Sequence, residues 1–291
     1  MVSGSGAFDK KLGISAYLVG RIKEIPLLPL SFQEMVRWRA PKVYPIYLRY
    51  YNSIRRALYN GEVIDSPPRI SQLEIIFKEY LRFGGYPKVV LTSQPRKEEI
   101  LRRIAHQTVE KDIVHFFGLP EKSRIFNFLK ELTFFAGKIF EASRASVDYK
   151  TAVRYLSILD ESFILKSLPA FYRNPLKEIK KAKKLYFYDL GFRRVFTEID
   201  TGHVIENYVF RQLLPEHYWR DKKGNEVDFV LMGKDGPIPI EVKTKGQEKK
   251  GFYVFLNTYE PERAFVFHYS WESKIERKGK TTIYHLPLFF L

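Results

Sequence analysis

The segment Gly224-Asn225-Glu226-Val227-Asp228-Phe229-Val230-Leu231 and the later segment Pro237-Ile238-Pro239-Ile240-Glu241-Val242-Lys243 decide the fold of the C-terminal part of this chain. Apolar and polar residues alternate in both, and residues 233–236 between them are turn formers, so the two segments predict a β-hairpin. Because successive side chains of a strand point to opposite faces, we expect the charged residues to share one face. These are Asp228, Glu241 and Lys243; Val227, Phe229 and Leu231 are expected in the core, and Ile238, Ile240 and Val242 on the face opposite Glu241 and Lys243.

The charged residues of this hairpin suggest a metal-dependent hydrolytic site. Neighbouring carboxylates repel unless a cation lies between them, and Mg²⁺ prefers oxygen ligands together with substrate phosphate. Lys243 is placed to assist an attacking water or to stabilise charge on a phosphate. Glu206, on the apolar side of a predicted helix, needs a hydrogen-bonding partner or serves as a further metal ligand. We predict catalytic roles for Asp228, Glu241 and Lys243, and Mg²⁺ ligation by Glu206, Asp228 and Glu241; the alternative is a solvated sheet face.

The elements around the hairpin follow the order αβββαβ and predict a mixed sheet. The predicted helices span Gly202 to Leu214 and about Glu248 to Asn257; the predicted strands span Tyr218 to Arg220, Glu226 to Leu231, Pro237 to Lys243 and Arg263 to Tyr269. The six histidines are dispersed along the chain, and each is expected to be a surface or capping residue.

The preceding segment, from residue 119 to 195, has the layout of a winged helix. An apolar-striped helix from Ser123 to Ala136 and a short helix near Phe140 precede Asp148, a predicted N-cap for a helix that ends at Glu161. Two strands, 163–168 and 184–188, are joined by a basic segment. A winged helix sets its second helix in the DNA major groove and its wing on phosphates, although such units also serve as packing or dimerisation modules. The residues expected to contact DNA are Lys150, Thr151, Arg154, Lys177, Lys180, Lys181 and Lys183, and those expected to face the core are Val153, Leu156 and Leu159.

The charge of the chain is unevenly distributed. The 291 residues include 49 Lys and Arg against 33 Asp and Glu, a net charge of +16. Residues 1–118 carry 19 basic against 11 acidic residues, residues 119–195 carry 16 against 8, and the remainder carries 14 of each. A polyanion would therefore be held by the upstream parts, unless the excess charge only solvates the surface.

Composition also excludes several classes of protein. No cysteine is present, so disulfides, thiolate nucleophiles and zinc–thiolate sites are excluded. We find neither a membrane span nor a signal sequence, and we expect a cytoplasmic protein with no membrane partner. Few Cys and Met beside many charged residues is also typical of thermophilic proteins.

Several motifs resemble a large bacterial and archaeal group of AAA+-type ATP-binding proteins. The C-terminal domain of that group looks like the restriction-endonuclease fold, in which the Asp and Glu-x-Lys residues bind metal, and it follows a winged helix and the helical lid of an ATPase. The matching segments are His203 to Gln212, Tyr218 to Asp221, Gly224 to Val230 and Ile240 to Lys243 for that domain, Thr151 to Leu156 and Lys184 to Gly191 for the winged helix, and Leu28 to Glu34 and Tyr80 to Pro87 for the lid.

One departure from this group concerns ATP. No Gly-Lys-Ser/Thr motif follows Ser3-Gly4-Ser5-Gly6, so the phosphate-binding loop is missing. Val2 to Ser5 resembles the last motif strand of the ATPase core, and Arg21 after it is given no nucleotide role. We therefore expect ATP binding only if the missing N-terminal part is supplied.

The resemblance implies a multi-domain α/β protein: a remnant and helical lid of an ATPase domain (1–118), a winged helix (119–195) and a restriction-endonuclease-like domain (196–291). The leading hypothesis is a DNA-binding protein with a Mg²⁺-dependent nuclease domain. Because this fold also occurs in inactive modules, the second hypothesis is a non-catalytic DNA-binding or assembly module, with an ATPase partner or a second copy of the chain as further partners. The third is a truncated ATPase fragment without a function of its own.

Overall fold

The computed structural model describes residues 25–62, 65–115, 117–119, 121–172, 182–197, 201–244, 246 and 250–291. Within these ranges the chain is a mixed α/β protein with ten α-helices and two sheets, one of them a mixed six-stranded sheet. The mixed α/β class is therefore confirmed. The predicted strand at Val2 to Ser5 and Arg21 lie outside the described residues.

The N-terminal part is helical. It contains α1 (Phe32–Arg39), α2 (Tyr44–Asn60), α3 (Ser71–Phe83), α4 (Pro87–Val90) and α5 (Gln94–Gln107), followed by a π-helical turn (Thr108–His115). Helix α1 begins with a capping box, in which Ser31 and Glu34 each accept a hydrogen bond from the other's backbone N–H. This cap fixes where the chain enters the first helix.

The middle part combines three α-helices with a small antiparallel sheet. Its elements are α6 (Lys122–Phe134), β1 (Ile139–Phe140), a 3₁₀ turn (Ala142–Arg144), α7 (Tyr149–Glu161), β2 (Leu165–Leu168), β3 (Lys183–Phe187) and α8 (Leu190–Phe196). The sheet has the order β1-β3-β2. Asp148 caps α7 as predicted, since its side chain accepts a hydrogen bond from the backbone N–H of Thr151 at 3.0 Å.

The inward face of α7 differs in part from the prediction. Val153 is 44% exposed and Leu156 is only partly buried, whereas Leu159 is buried as predicted. The buried residues of the helix are Ala152, Tyr155, Ile158 and Leu159, a stripe with spacings of three and four. The prediction for Val153 was wrong because Ala152 and Tyr155 form the contact face. Successive residues are about 100° apart around a helix, so Val153 points away from the face that contains Ala152.

The C-terminal part contains the predicted hairpin inside a larger sheet. Its elements are α9 (Thr201–Leu213), β4 (His217–Arg220), β5 (Glu226–Gly233), β6 (Gly236–Lys243), α10 (Lys250–Tyr259), β7 (Arg263–His268), β8 (Lys274–Lys278), β9 (Thr281–Pro287) and a 3₁₀ turn (Leu288–Phe290). The sheet has the order β4-β5-β6-β7-β9-β8. Strands β5 and β6 are antiparallel, and β6, β7 and β9 are parallel. The sequence prediction stopped at β7 and missed β8 and β9.

Two hydrophobic cores cover the two faces of this sheet. The shared core joins residues of α1, α2 and α3 to α9 and to one sheet face, including Phe32, Phe77, Tyr208 and Ile240. The α10-side core lies on the other face and includes Phe252, Phe255, Ala264, Val266 and Ile283. The shared core thus contains residues from within 32–90, 168–190 and 204–291, while the boundaries proposed at 118 and 195 stay predictions. No helix within the described residues combines the length and apolarity that a membrane crossing requires.

Candidate functional site

The predicted Glu-x-Lys pair lies at the end of β6, inside the protein. The Glu241 Oε1 and Lys243 Nζ atoms are 2.8 Å apart, and the two residues are 0% and 5% exposed. Ile238 and Ile240 belong to the shared core, so strand alternation directs Glu241 and Lys243 to the opposite face. Their neighbour on β7 at the level of Glu241 is Val266 of the α10-side core. The pair therefore lies on the α10 side of the sheet.

Asp228 lies at a β-bulge where β5 leaves β6. His217 pairs with Val230 but Trp219 pairs with Val227, so β5 has one residue more than β4 at this point. The Oδ2 atom of Asp228 accepts a hydrogen bond of 2.8 Å from the backbone N–H of Val242, and Asp228 is 1% exposed. The carboxylate thus touches β6 between Glu241 and Lys243. The bulge also moves Val227 into the α10-side core, so its predicted position beside Phe229 and Leu231 was wrong.

Glu206 lies in a different network, built around a buried lysine of β3. Its Oε1 atom is 3.1 Å from Lys184 Nζ and accepts a hydrogen bond of 2.5 Å from the hydroxyl of Tyr186. Lys184 also pairs with Glu226 Oε1 at 2.7 Å. Of the two roles open to Glu206, the structure shows the hydrogen-bonded one.

This Lys184 network shifts the protonation of its members. Burial disfavours the ammonium of Lys184, but the carboxylates of Glu206 and Glu226 outweigh it and raise the pKa of Lys184 above its ordinary value. Burial, together with the charge of Glu206, raises the pKa of Tyr186 well above its ordinary value. Lys184 is therefore charged and Tyr186 neutral at physiological pH, which fixes the direction of the hydrogen bond to Glu206.

The three predicted metal ligands do not form one compact group. Among the described residues, His268, Glu272 and His285 offer ligand atoms that all lie within 4.8 Å of one another, whereas Glu206, Asp228 and Glu241 are not such a group. Glu206 belongs to α9, on the face of the sheet opposite Glu241. The charge of Asp228 nevertheless acts on Lys184 and Tyr186, the two partners of Glu206, so Asp228 lies near the Lys184 network, and Mg²⁺ ligation by Glu206, Asp228 and Glu241 stays a prediction. The roles of Asp228, Glu241 and Lys243 stay predictions.

Part of this donor set still fits a magnesium ion. Asp228 and Glu241 offer carboxylate oxygens from adjacent strands, the ligand type that Mg²⁺ prefers, and Asp228 uses one oxygen for Val242. Glu206 contacts Lys184 and Tyr186 through its Oε1 atom, and its role as a third ligand stays a prediction.

The predicted DNA-contacting residues fall into three groups. Lys150 and Arg154 are exposed on α7, and Lys183 is exposed at the start of β3. The Thr151 hydroxyl donates a 2.6 Å hydrogen bond to Asp148, so this side chain serves the helix cap. The third group, Lys177, Lys180 and Lys181, lies outside the described residues.

Sequence reasoning missed two buried polar pairs. Lys184 was placed at the start of a predicted strand that follows the basic segment, and the sequence does not distinguish it from the exposed Lys183 next to it. His268 and His285 are 7% and 1% exposed and contact each other, so the expectation that both are surface or capping residues was wrong. For His268 the available signal was alternation on the predicted strand, where Val266 shares its face. His285 lies on β9, which the sequence prediction missed.

Comparisons with known proteins give domains without an assigned function. Residues 75–202 match a domain of unknown function, DUF8612. Residues 201–289 match a domain of unknown function, DUF4143, which is found in AAA-ATPase-associated proteins. The chain is 24% identical over 257 residues to an uncharacterized protein of Haemophilus influenzae. The matched region covers 83% of this chain and 58% of that relative. The chain thus spans less than two thirds of this relative's length. No solved structure matches the chain significantly.

Proposed function

We propose that this protein binds DNA through a basic surface formed by Lys150, Arg154 and Lys183. The observation that carries the proposal is the exposure of Lys150 and Arg154, four residues apart on one side of α7. The opposite side of this helix is buried through Tyr155 and Leu159. A helix that packs on the protein core through one face and carries cations on another can enter a DNA groove without any rearrangement of that core.

The surrounding topology supports this role. Helices α6 and α7 pack on a sheet of order β1-β3-β2, which follows the winged-helix layout of helix, turn, helix and hairpin. In this layout α7 is the recognition helix, and Lys183 lies where the wing joins β3. The segment from 119 to 195 also carries a net charge of +8. Cations of this kind contribute salt-dependent affinity by releasing counterions from phosphates.

The test is a titration of a fluorescently labelled DNA duplex with the whole chain, followed by anisotropy. If about six phosphates are neutralised, affinity should fall about a thousandfold between 50 and 200 mM salt. Lys150→Glu with Arg154→Glu should weaken binding by at least about tenfold. The matched control is Lys222→Glu with Lys223→Glu, which makes the same charge change at exposed positions of the C-terminal part. Equal losses in both double variants would refute the assignment of the surface.

The second candidate function is Mg²⁺-dependent hydrolysis of DNA phosphodiesters. The pairing of Glu241 with Lys243 beside Asp228 favours it. A bound magnesium ion would neutralise charge on the phosphate. Asp228 and Glu241 would hold the ion, and Lys243 would orient a water whose oxygen bonds to phosphorus while the P–O bond to the departing strand end breaks and that oxygen takes a proton.

Burial favours the non-catalytic alternative over hydrolysis. Asp228, Glu241 and Lys243 are at most 5% exposed, so a phosphate can reach them only after neighbouring chain moves. The Glu241 carboxylate is already neutralised by Lys243. A buried, internally paired set of charges can keep a sheet in one register without performing chemistry.

Incubation of supercoiled and linear DNA with the purified chain separates the two functions. A nuclease cuts with Mg²⁺, stops with chelator, and loses activity in Lys243→Met and Asp228→Asn, each checked for folding by circular dichroism. DNA binding without cutting supports the non-catalytic alternative. Equal cutting by the wild type and Lys243→Met would identify a contaminating nuclease.

An ATPase partner is a proposal that rests on the domain match. DUF4143 is found in AAA-ATPase-associated proteins, and a basic DNA-binding chain would suit a complex in which another subunit supplies nucleotide hydrolysis. A DNA-stimulated ATPase activity that appears only when an ATPase subunit and this chain are mixed would support it.

A further inference from the structure

The second polar cluster of the C-terminal sheet is a buried pair of histidines. The Nε2 atom of His268 on β7 and the Nδ1 atom of His285 on β9 are 3.0 Å apart, with their rings nearly parallel. Both rings are more than 90% buried. The residues come from adjacent parallel strands, so the backbone holds the two nitrogens together.

A carboxylate lies next to the outer nitrogen of each ring. Glu276 Oε1 is 3.3 Å from His285 Nε2, and Glu272 Oε2 is 3.7 Å from His268 Nδ1. A neutral imidazole has one N–H and one lone pair, and a neighbouring carboxylate favours the N–H on its own side. The inner nitrogens of both rings would then present lone pairs to each other. A metal ion between the rings would bind both nitrogens in place of the proton of a hydrogen bond.

We propose that His268, His285 and Glu272 form a binding site for a divalent transition metal, with Zn²⁺ as the best fit. The three residues offer ligand atoms that lie within 4.8 Å of one another. Tetrahedral zinc with nitrogen ligands at about 2.05 Å needs the two nitrogens about 3.4 Å apart, so the observed 3.0 Å requires only a small opening. Imidazole and carboxylate ligands suit Zn²⁺, Ni²⁺ and Cu²⁺, whereas Mg²⁺ avoids nitrogen ligands.

Glu276 has a different role in this site. Its contact with the outer nitrogen of His285 orients the ring so that the inner nitrogen faces His268, as carboxylates next to metal-binding histidines commonly do. Glu272 is half-exposed and can move toward the metal. Two histidines and one carboxylate leave a fourth position of zinc for water, on the same side of the sheet as Lys243, which pairs in register with His268.

The test is metal binding by the whole chain after treatment with chelator. Titration with Co²⁺, followed by visible absorption, and with Zn²⁺, followed by calorimetry, should show one equivalent of metal and a higher thermal unfolding midpoint. His268→Gln should weaken binding at least about a hundredfold and Glu272→Gln about tenfold. The control is His106→Gln, since His106 is exposed on α5 and stacks on Phe126; its affinity should be unchanged.

Three outcomes would overturn the proposal: no stoichiometric binding by the wild type, equal Zn²⁺ affinity in wild type and His268→Gln, or equal affinity losses in His268→Gln and His106→Gln. Glu272 is half-exposed, so Glu272→Gln should fold even if a histidine variant does not, and unchanged affinity in that variant also counts against the site. Asp228→Asn should keep its Zn²⁺ affinity. A failure of the nuclease proposal therefore leaves this one standing.

Discussion

The contribution of one buried carboxylate, Asp189, to the stability of this protein should fall as the pH rises through its titration. This residue is 4% exposed and caps α8, where its Oδ1 atom accepts a hydrogen bond from the Phe192 N–H at 2.8 Å. Its Oδ2 atom accepts a second hydrogen bond, of 2.7 Å, from the Gly85 N–H. The carboxylate thus holds the Gly84-Gly85 turn against the start of α8.

Burial has the larger effect on the charge of Asp189. It raises the pKa of the carboxyl from 3.8 to about 6, although the hydrogen bonds from Gly85 and Phe192 and the charge of Arg211 act in the opposite direction. The folded state therefore binds the proton more tightly than the unfolded state between pH 4 and 6, and the free energy of unfolding falls as the pH rises through this range. The pKa of Asp189 differs by about two units between the folded and unfolded states. At about 1.4 kcal/mol per unit, the free energy of unfolding changes by about 3 kcal/mol.

The assay is urea unfolding of the wild type and Asp189→Asn at pH 4, 5, 6 and 7. The variant should be less stable at pH 4, because the amide NH₂ group takes the place of one of the two oxygens that accept these hydrogen bonds and cannot accept one itself. The difference between the two proteins should then shrink by about 3 kcal/mol as the pH rises to 7. Other carboxylates titrate in both proteins and cancel in the difference.

Asp148 provides the control of opposite sign. It also caps a helix, but it is exposed, and the hydrogen bonds from Thr151 lower its pKa. Its contribution is therefore present above its unfolded pKa and lost as the pH falls, so the difference between wild type and Asp148→Asn should grow with pH. A pH-independent difference for Asp189→Asn, or one that grows with pH, would refute the reasoning about burial.

Three further substitutions test the packing around the candidate sites, each through the urea midpoint of unfolding. Lys184→Met should cost about 3–5 kcal/mol, because it leaves two partly buried glutamates without their cation. The pKa of Lys184 is raised in the folded state, so its stabilising contribution is fully present at any pH below the pKa of lysine in the unfolded chain. The loss in the variant should therefore persist up to about pH 10. Gly191→Ala should cost about 1–3 kcal/mol, because a methyl group there would overlap the Phe83 carbonyl. Asn207→Ala should cost about 2–4 kcal/mol, because the Asn207 side chain pairs with both the N–H and the C=O of Phe187. Wild-type midpoints in these variants would show that the contacts are dispensable.

The hairpin of β5 and β6 was predictable because its signals are local. Gly233 and Gly236 flank the turn, and the apolar residues of both strands alternate. Strands β8 and β9 were missed for the opposite reason. Strand β8 is polar and largely exposed, and β9 is defined by parallel pairing with β7, which no local pattern announces.

The position of Glu206 could not be predicted from the sequence. Periodicity places it beside apolar residues of α9, but it does not say which face of the sheet the helix covers. The structure places α9 on the face of Ile240, opposite Glu241 and Lys243, and there Lys184 is the cation within reach. When both faces of a sheet are buried, alternation divides the residues of a strand between two faces, but it does not show which helix packs on which face.

The Gly84-Gly85 turn and the Asp189 segment were visible as motifs, but their contact was not. Both stretches supported the resemblance to an ATPase-related group, and the structure shows that the first donates an N–H to the side chain of the second. Any side chain at Gly84 would overlap the Asp189 carboxylate. These two motifs are therefore explained by packing, and neither needs a catalytic role.

The shared core makes the C-terminal sheet depend on the N-terminal helices. Phe77 of α3 contacts Tyr208 of α9 edge to face at 4.7 Å, and Phe289 after β9 at 5.1 Å. Without the N-terminal helices, the part of the apolar sheet face around Ile240 that α9 leaves uncovered would be exposed. The hydrolysis proposed at β6 would therefore require α1, α2 and α3 to be in place.

Strand β3 connects the proposed DNA surface to this core through two successive residues. Lys183 is exposed, whereas Lys184 is buried and paired with Glu206 of α9. Alternation on one strand thus gives two neighbouring lysines different roles. Lys183→Glu should weaken DNA binding without changing the urea midpoint. If that variant lowers stability as much as Lys184→Met does, Lys183 belongs to the core network, and the proposed basic surface is reduced to α7.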